Sequence, residues 1–292
     1  MFEWLEKQLP KLVLAPSFVA ILFFVYGFIG WTAWISLTKS RLLPKYDIIG
    51  LLQYERLFAA PRWDVAFSNL FIFGFLFILI SMLLGLLLAV MLDQKIRTEG
   101  IIRTIYLYPM ALSLIVTGTA WKWILNPGLG LEAMIRGWGW ENFSFDWLVD
   151  PNMAIYTVVI AGVWQASGFV MALFLAGLRS VDEEIIKAAQ VDGVPTWRIY
   201  LSIILPSMAA VFLSAFIVLS HLAIKSFDLV IALTGGGPGY ATDLPATYMY
   251  TMAFSRGDIG HAASSAMIMM AVVFAIVVPY LYSELRVKNG QI

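Results

Sequence analysis

The chain has 292 residues, of which 61% are hydrophobic and only 13% charged, and its mean hydropathy is +0.83. A soluble domain is about half apolar and a quarter charged, so this balance argues against a soluble enzyme, and 19 basic against 19 acidic residues leave no net positive field to hold a nucleic acid. The absence of cysteine and the presence of only two histidines, His221 and His261, exclude disulfides, thiol catalysis, thiolate zinc sites and His-rich metal centres.

Crossing a hydrocarbon core of roughly 30 Å takes about 20 apolar residues in a helix, and the first such stretch is Leu12–Leu37. It is too long for the apolar part of a signal peptide, and no small-x-small cleavage site follows, so it reads as a retained first span. After Thr38–Val65 come a second span, Ala66–Leu92, and a third, Thr104–Leu125. Lys122, near one end of the third, is the one Asp, Glu, Lys or Arg within any span, and its stem is long enough to snorkel to the interface. Trp138, Trp140 and Trp147 in Asn126–Asn152 read as interfacial aromatic anchors. The fourth span is Met153–Gly177, the fifth Tyr200–Ile224 and the sixth His261–Ser283, with Lys225–Gly260 between the last two. Lipid offers no partner for backbone N–H and C=O groups, so these spans are helices, and the ten-residue alternation of a barrel is missing. Pro16, Pro109, Pro206 and Pro279 lie within spans and are expected to kink them.

Six spans place both termini on one side. The short connections on that side (Met1–Lys11, Asp93–Arg103, Leu178–Ile199 and the tail after Ser283) hold 10 of the 19 lysines and arginines, which assigns them to the cytoplasm. The expectation is an all-α integral membrane protein with six transmembrane helices, residues 1–292 forming a single transmembrane domain without internal repeats.

The most informative connection is residues 178–199. Ser180 and Glu183 have capping-box spacing, and Asp182, Glu183 and Glu184 suit the positive end of a helix dipole. Glu183 and Lys187 form an i, i+4 pair, Ala188 and Ala189 leave room for close approach, and Gly193 supplies the left-handed residue that ends a helix. Pro195 suits the start of the next one. The pattern predicts a short helix, a sharp bend and a second helix leading into the fifth span; by spacing alone, an ordinary amphipathic interfacial loop fits as well.

Lys187-Ala188-Ala189-x-x-Asp192-Gly193, followed by Ile203-x-Leu205-Pro206, resembles the EAA loop of permease subunits in bacterial binding-protein-dependent ABC importers. Ser226-Phe227-Asp228-Leu229-Val230 with Leu233-Thr234-Gly235-Gly236-Gly237-Pro238-Gly239 resembles the sugar permeases of the maltose first-subunit type. Arg103–Pro109, Trp121-Lys122-Trp123, Asn126-Pro127-Gly128 and Val163–Gly168 are similar to the permease of proteobacterial glucose/mannose importers.

This resemblance implies a type I ABC importer permease fold with a cytoplasmic coupling helix, in the bacterial inner membrane. The implied ATPase-coupling residues are Glu183, Glu184, Lys187, Ala188, Ala189, Asp192 and Gly193, with one departure: Lys187 stands where the family has a leading Glu. Implied partners are a second related permease, an ATPase dimer that uses ATP and Mg, and an extracytoplasmic sugar-binding protein docking on the three longer outer segments. The chain itself is expected to be non-catalytic and to need no cofactor; no Walker A pattern is present.

A sugar in a membrane cavity needs aromatic faces for its C–H surface and polar groups for its hydroxyls. Candidates for the substrate pathway are Trp164, Gln165 and Ser167 in the fourth span and Ser220 and His221 in the fifth; Ser214, Ser264 and Ser265 are weaker ones. Lys225 and Asp228 read as an ion pair at the outer boundary. Two rival readings are an intramembrane serine protease using Ser167 and His221, and an ion-coupled carrier or channel, which the near absence of ionisable residues in the spans disfavours.

Overall fold

The computed structural model describes residues 2–94 and 97–288, with side chains outside 2–10, 12 and 283–288. Those parts of the short connections that fall at residue 1, residues 95–96 and residues 289–292 lie outside the described residues. Secondary structure is helical throughout, apart from a single antiparallel bridge between Thr38 and Ile48 among the described residues.

In chain order the helices are α1 (Phe2–Ile21), α2 (Gly27–Ser36), α3 (Leu52–Phe58), α4 (Pro61–Asp93), α5 (Glu99–Ala111), α6 (Leu114–Ile124) and α7 (Leu131–Gly137). They continue with α8 (Ala154–Leu178), α9 (Glu183–Val191), α10 (Thr196–Ile199), α11 (Leu205–Ser207), α12 (Ala209–Ile224), α13 (Asp228–Leu233), α14 (Pro245–Tyr250) and α15 (Ile259–Lys288). A π-helical turn, Leu22–Tyr26, joins α1 to α2, another, Tyr200–Ile204, follows α10, and a third, Thr251–Ser255, follows α14.

Four segments are long and apolar enough to cross a membrane: Val13–Ser36, Pro61–Asp93, Ala154–Leu178 and Ile259–Tyr282. Two further crossings arise if each bent pair counts as one span. The third expected span is therefore not one helix: α5 and α6 meet at 102°. Leu112 is extended, with ψ 145°, and the Ser113 hydroxyl accepts from the Val116 N–H at 3.3 Å, so α6 starts afresh with its own cap. The fifth span likewise breaks at Met208, by 67°, just after Pro206. Helix continues without interruption through Pro16 in α1 and Pro279 in α15, so of the four prolines only Pro109 and Pro206 lie beside a break in the helix.

The chain divides into two compact units. The first comprises residues 1–61 and 248–270. Here the Gln53 amide donates to the Thr38 carbonyl at 2.9 Å, Thr38 and Ser40 share a hydroxyl hydrogen bond at 2.6 Å, and the Gly260 N–H donates to the Ser40 carbonyl at 2.9 Å. Tyr248 and His261 bond through Oη and Nε2 at 2.7 Å. Within Val13–Ser36 an 18-residue apolar window has none of its residues buried, whereas Ile35 and Ser36 at its end are buried and the Ser36 hydroxyl bonds to that of Tyr54 at 2.8 Å.

The second unit comprises residues 62–247 and 271–292. Small residues let its helices touch backbone to backbone, the usual device where lipid offers no hydrophobic drive for helix association. A Cβ on Gly118 of α6 would stand 3.0 Å from the Leu229 carbonyl of α13, and one on Gly168 of α8 would stand 1.8 Å from the Tyr106 carbonyl of α5. The Gly235–Gly239 turn is fastened to the start of α4: Arg62 Nε donates to the Asp243 carboxylate at 2.5 Å, and the Asn69 amide donates to the carbonyls of Ala241 and Asp243 at 2.8 and 3.0 Å. Between α6 and α8, Glu132 of α7 is buried, accepting from the N–H groups of Gly128 and Phe145 and pairing with Arg136 at 2.6 Å. That fold of the chain leaves Trp138 and Trp140 exposed, as interfacial anchors should be, while Trp147 stacks on Phe145.

The expected Lys225–Asp228 pair is not formed. Both side chains are exposed, and no ion pair joins them among the described residues; Asp228 instead opens α13, where its charge suits the helix N-terminus.

Candidate functional site

Two features of the second unit match the sequence expectations, and the first is the helix between α8 and α12. α9 is capped at both ends by its own sequence. The Asp182 carboxylate accepts from the Glu184 N–H at 2.8 Å. Ser180, expected to cap through capping-box spacing with Glu183, instead donates its hydroxyl to the Gly177 carbonyl at 2.7 Å and finishes α8. Asp182 sits two residues further on, directly before the helix, and outcompetes it. At the other end Gly193 has φ +75°, its N–H donates to the Gln190 carbonyl at 3.1 Å, and the Val194 N–H reaches the Ala189 carbonyl at 3.0 Å. These are the two bonds of a Schellman motif. Arg198 N–H then donates to the Pro195 carbonyl at 2.9 Å, starting α10.

On this frame Lys187 Nζ meets Glu183 Oε2 at 2.8 Å, the i, i+4 pair expected. Hydrogen bonding to Glu183 holds the Lys187 ammonium above its ordinary pKa of 10.5, so the lysine keeps its charge across neutral pH and gives it up only in strong alkali. Both side chains are largely exposed, so the pair orders α9 without contributing much to stability. Glu184, Ala188, Asp192 and Gly193 are exposed as well, and Ala189 alone of the set is buried. Apolar side chains share that exposure: Val191 is 87% exposed, and Ile185 and Trp197 are also open. A capped helix with apolar residues facing outward is built to be covered by something outside this chain. Substituting Asp182 by alanine removes the cap, at a cost of about 1 kcal/mol to α9. The expected outcome is roughly fivefold faster hydrogen exchange of the α9 amides, measured on the protein in detergent.

The second feature is a cavity of about 360 Å³, within the size range of small-molecule sites, enclosed by α4, α5, α6, α8, α12 and the start of α13. Phe77, Met110, Leu112 and Phe169 give it apolar and aromatic walls, and Gln165 and Ser226 are its polar members. No ionisable side chain lines it. The Gln165 amide donates to the Leu112 carbonyl at 2.8 Å. That carbonyl is freed by the break between α5 and α6, so Gln165 satisfies the break while its remaining oxygen stays available to a ligand.

Of the expected pathway residues, Gln165 alone lines this cavity. Trp164, one residue earlier, packs edge-on against Trp121 with ring centroids 5.8 Å apart and is 38% exposed. The Ser167 hydroxyl is buried and donates to the Trp164 carbonyl at 3.4 Å, and the Ser220 hydroxyl is buried and donates to the Phe216 carbonyl at 2.7 Å. Ser220 and His221 line a separate crevice of about 10 Å³ against Val273, Ile276 and Val277 of α15. Ser214, Ser264 and Ser265 likewise bond carbonyls of their own helices. Ser167 and His221 thus share no cavity among the described residues, and the Ser167 hydroxyl is spent on the Trp164 carbonyl rather than on a base that would activate it for hydrolysis.

Sequence reasoning missed Phe169 and Ser226. Phe169 stands one helical turn from Gln165 and Gly162 one turn before it, so helical periodicity from Gln165 would have found both. Ser226 carries no such signal. Among the described residues there is no group of His, Cys, Asp or Glu able to hold a metal ion.

Comparison with known proteins gives a consistent picture. The family model described as binding-protein-dependent transport system inner membrane component matches residues 81–285, which include α9 and most of the cavity. A probable ABC transporter permease protein of Pyrococcus horikoshii is 39% identical, over 95% of this chain and 96% of its own. The xylose/arabinose import permease protein of Haloferax volcanii is 35% identical, over 92% of this chain and 86% of its own. Among solved structures, a bacterial ABC transporter involved in the import of the acidic polysaccharide alginate matches with a TM-score of 0.84 and 20% identity, over 98% of each chain. At that identity the match bears on the fold, and the fold is the one expected from the sequence.

Proposed function

The chain belongs to the family of binding-protein-dependent transport system inner membrane components, and we propose that within it this permease carries a sugar, most simply a monosaccharide of the glucose or mannose type. It is a membrane subunit of an ABC transporter, and its task is to hold a path that opens to one side at a time. The observation that carries the reading is the family match across residues 81–285. Support for a carbohydrate comes from relatives named for xylose/arabinose import and for trehalose/maltose transport. The narrowing to glucose or mannose rests on the motifs around Arg103–Pro109 and Val163–Gly168.

In this reading both termini and α9 lie in the cytoplasm. α9 docks on a separate ATPase through Glu183, Glu184, Lys187, Ala188, Asp192 and the exposed Ile185 and Val191. A second permease completes the path, and a soluble binding protein delivers sugar from outside. Inside the cavity Phe77 and Phe169 would cover the C–H face of a ring, with Gln165 and Ser226 serving hydroxyls. Ser167, Ser220, His221 and Trp164 then support the helices rather than touch substrate. ATP hydrolysis moves α9, and α9 tilts the helices joined to it as bodies.

The test is reconstitution of the chain with its cognate permease, ATPase and binding protein in vesicles. The expected result is uptake of labelled glucose or mannose that requires ATP and the binding protein. Uptake that follows an ion gradient in vesicles lacking the ATPase would sink the proposal.

A further inference from the structure

The region around α9 carries two further ties. Arg179, just before α9, places Nη2 2.9 Å from Glu99 Oε1 and reaches the Leu92 carbonyl at 3.5 Å. Tyr200, just after α10, donates its hydroxyl to Asp93 Oδ2 at 2.5 Å and accepts from the Gln94 amide at 3.2 Å. Both flanks of the α9–α10 segment are therefore fastened to one place, where α4 ends at Asp93 and α5 begins at Glu99.

α5 in turn is fastened to the cavity. Gly168 lets α8 approach the Tyr106 carbonyl of α5, and Gln165 of α8 holds the Leu112 carbonyl at the end of α5. Met110 and Leu112 line the cavity themselves. One path runs from Arg179 through Glu99 along α5 to the 102° break that walls the cavity, and a second runs from Tyr200 through Asp93 along α4 to Phe77 on the cavity wall.

We propose that Asp93 and Glu99 are positioning residues for coupling, tying the α9–α10 segment to the end of α4 and the start of α5, so that movement of α9 reaches the cavity wall through α4 and α5 as well as through α12. The inference rests on the reading of α9 as the helix that the ATPase grips. The two ties differ in strength. The Arg179–Glu99 pair is partly open to water, with side-chain exposures of 45% and 26%, and such pairs are weak singly. The Tyr200–Asp93 bond is part-buried, short and charge-assisted, so it is the stiffer of the two.

The experiment uses the full assembly in vesicles and reads sugar taken up per ATP hydrolysed. Tyr200→Phe and Asp93→Asn are expected to lower that ratio by about three- to tenfold while the ATPase rate stays near that of the unmodified assembly. Arg179→Glu should lower it by about twofold, and the exchange Arg179→Glu with Glu99→Arg should restore it. A ratio unchanged in Tyr200→Phe and in Arg179→Glu overturns the inference. So does a parallel fall in ATPase rate and uptake that the charge exchange fails to rescue, since that is the signature of a merely structural role. Absence of ATP-driven uptake in the unmodified assembly would strike the functional reading instead, so the two failures are distinguishable.

Discussion

Gly193→Val is expected to reduce ATP-driven uptake by at least about tenfold, while Gly193→Asn retains most of it. The argument is conformational rather than steric. Gly193 has φ +75°, and a Cβ there would meet nothing within 4 Å. Space is available; the backbone region is not. An L-residue in the left-handed region costs about 1–2 kcal/mol, and a β-branched one more, whereas asparagine visits it readily. With valine, the bonds from Gly193 to Gln190 and from Val194 to Ala189 give way, and α9 no longer meets α10 at a fixed angle. Measuring ATPase activity alongside uptake for both variants separates this from a packing defect, because asparagine adds about as much bulk as valine yet is the milder of the two in the left-handed turn. Equal loss in the two variants would falsify the lever account.

The second large effect is expected at Gly168. A side-chain carbon there would overlap the Tyr106 carbonyl, at 1.8 Å, and backbone cannot rotate aside as a flexible side chain can. Gly168→Val should therefore separate α5 from α8, at a cost of about 3 kcal/mol or more. The expected readout is a protein that is lost from the membrane fraction or has a much lower thermal midpoint in detergent. Gly100→Ala, on the same α5 but with nothing within 4 Å, serves as the control and should behave as the unmodified chain.

These two glycines also mark the boundary of what could be read in advance. Gly193 was legible because capping is local chemistry: an acidic first turn, a short apolar run, then Asp-Gly and Pro within a few residues. Gly168 was not, because its partner is Tyr106, far away in sequence. The same division holds for the spans. Long apolar windows announced α4, α8 and α15, but the break at Leu112–Ser113 sits inside an apolar run and depends on Gln165 holding a carbonyl from another helix. Asp228–Leu233 lies in the connection Lys225–Gly260, for which the sequence announced no helix; it is α13, packed on α6 where Gly118 allows contact. Hydroxyls in the spans, offered as substrate contacts, are mostly spent on their own helix backbones, a preference that composition cannot reveal. The cap of α9 was placed on Ser180 because spacing alone favours it, while the carboxylate of Asp182 is the stronger acceptor in the same neighbourhood.

The segment Val13–Ser36 has an apolar window with no buried residue. Its 24 residues make a rod of about 36 Å at 1.5 Å per residue, longer than a hydrocarbon layer of roughly 30 Å. With only its Ile35–Ser36 end sheltered by its own protein, the rod leans until its length fits, and the lean follows the lipid. Shorter acyl chains steepen it and longer ones straighten it, which makes this one crossing a gauge of bilayer thickness.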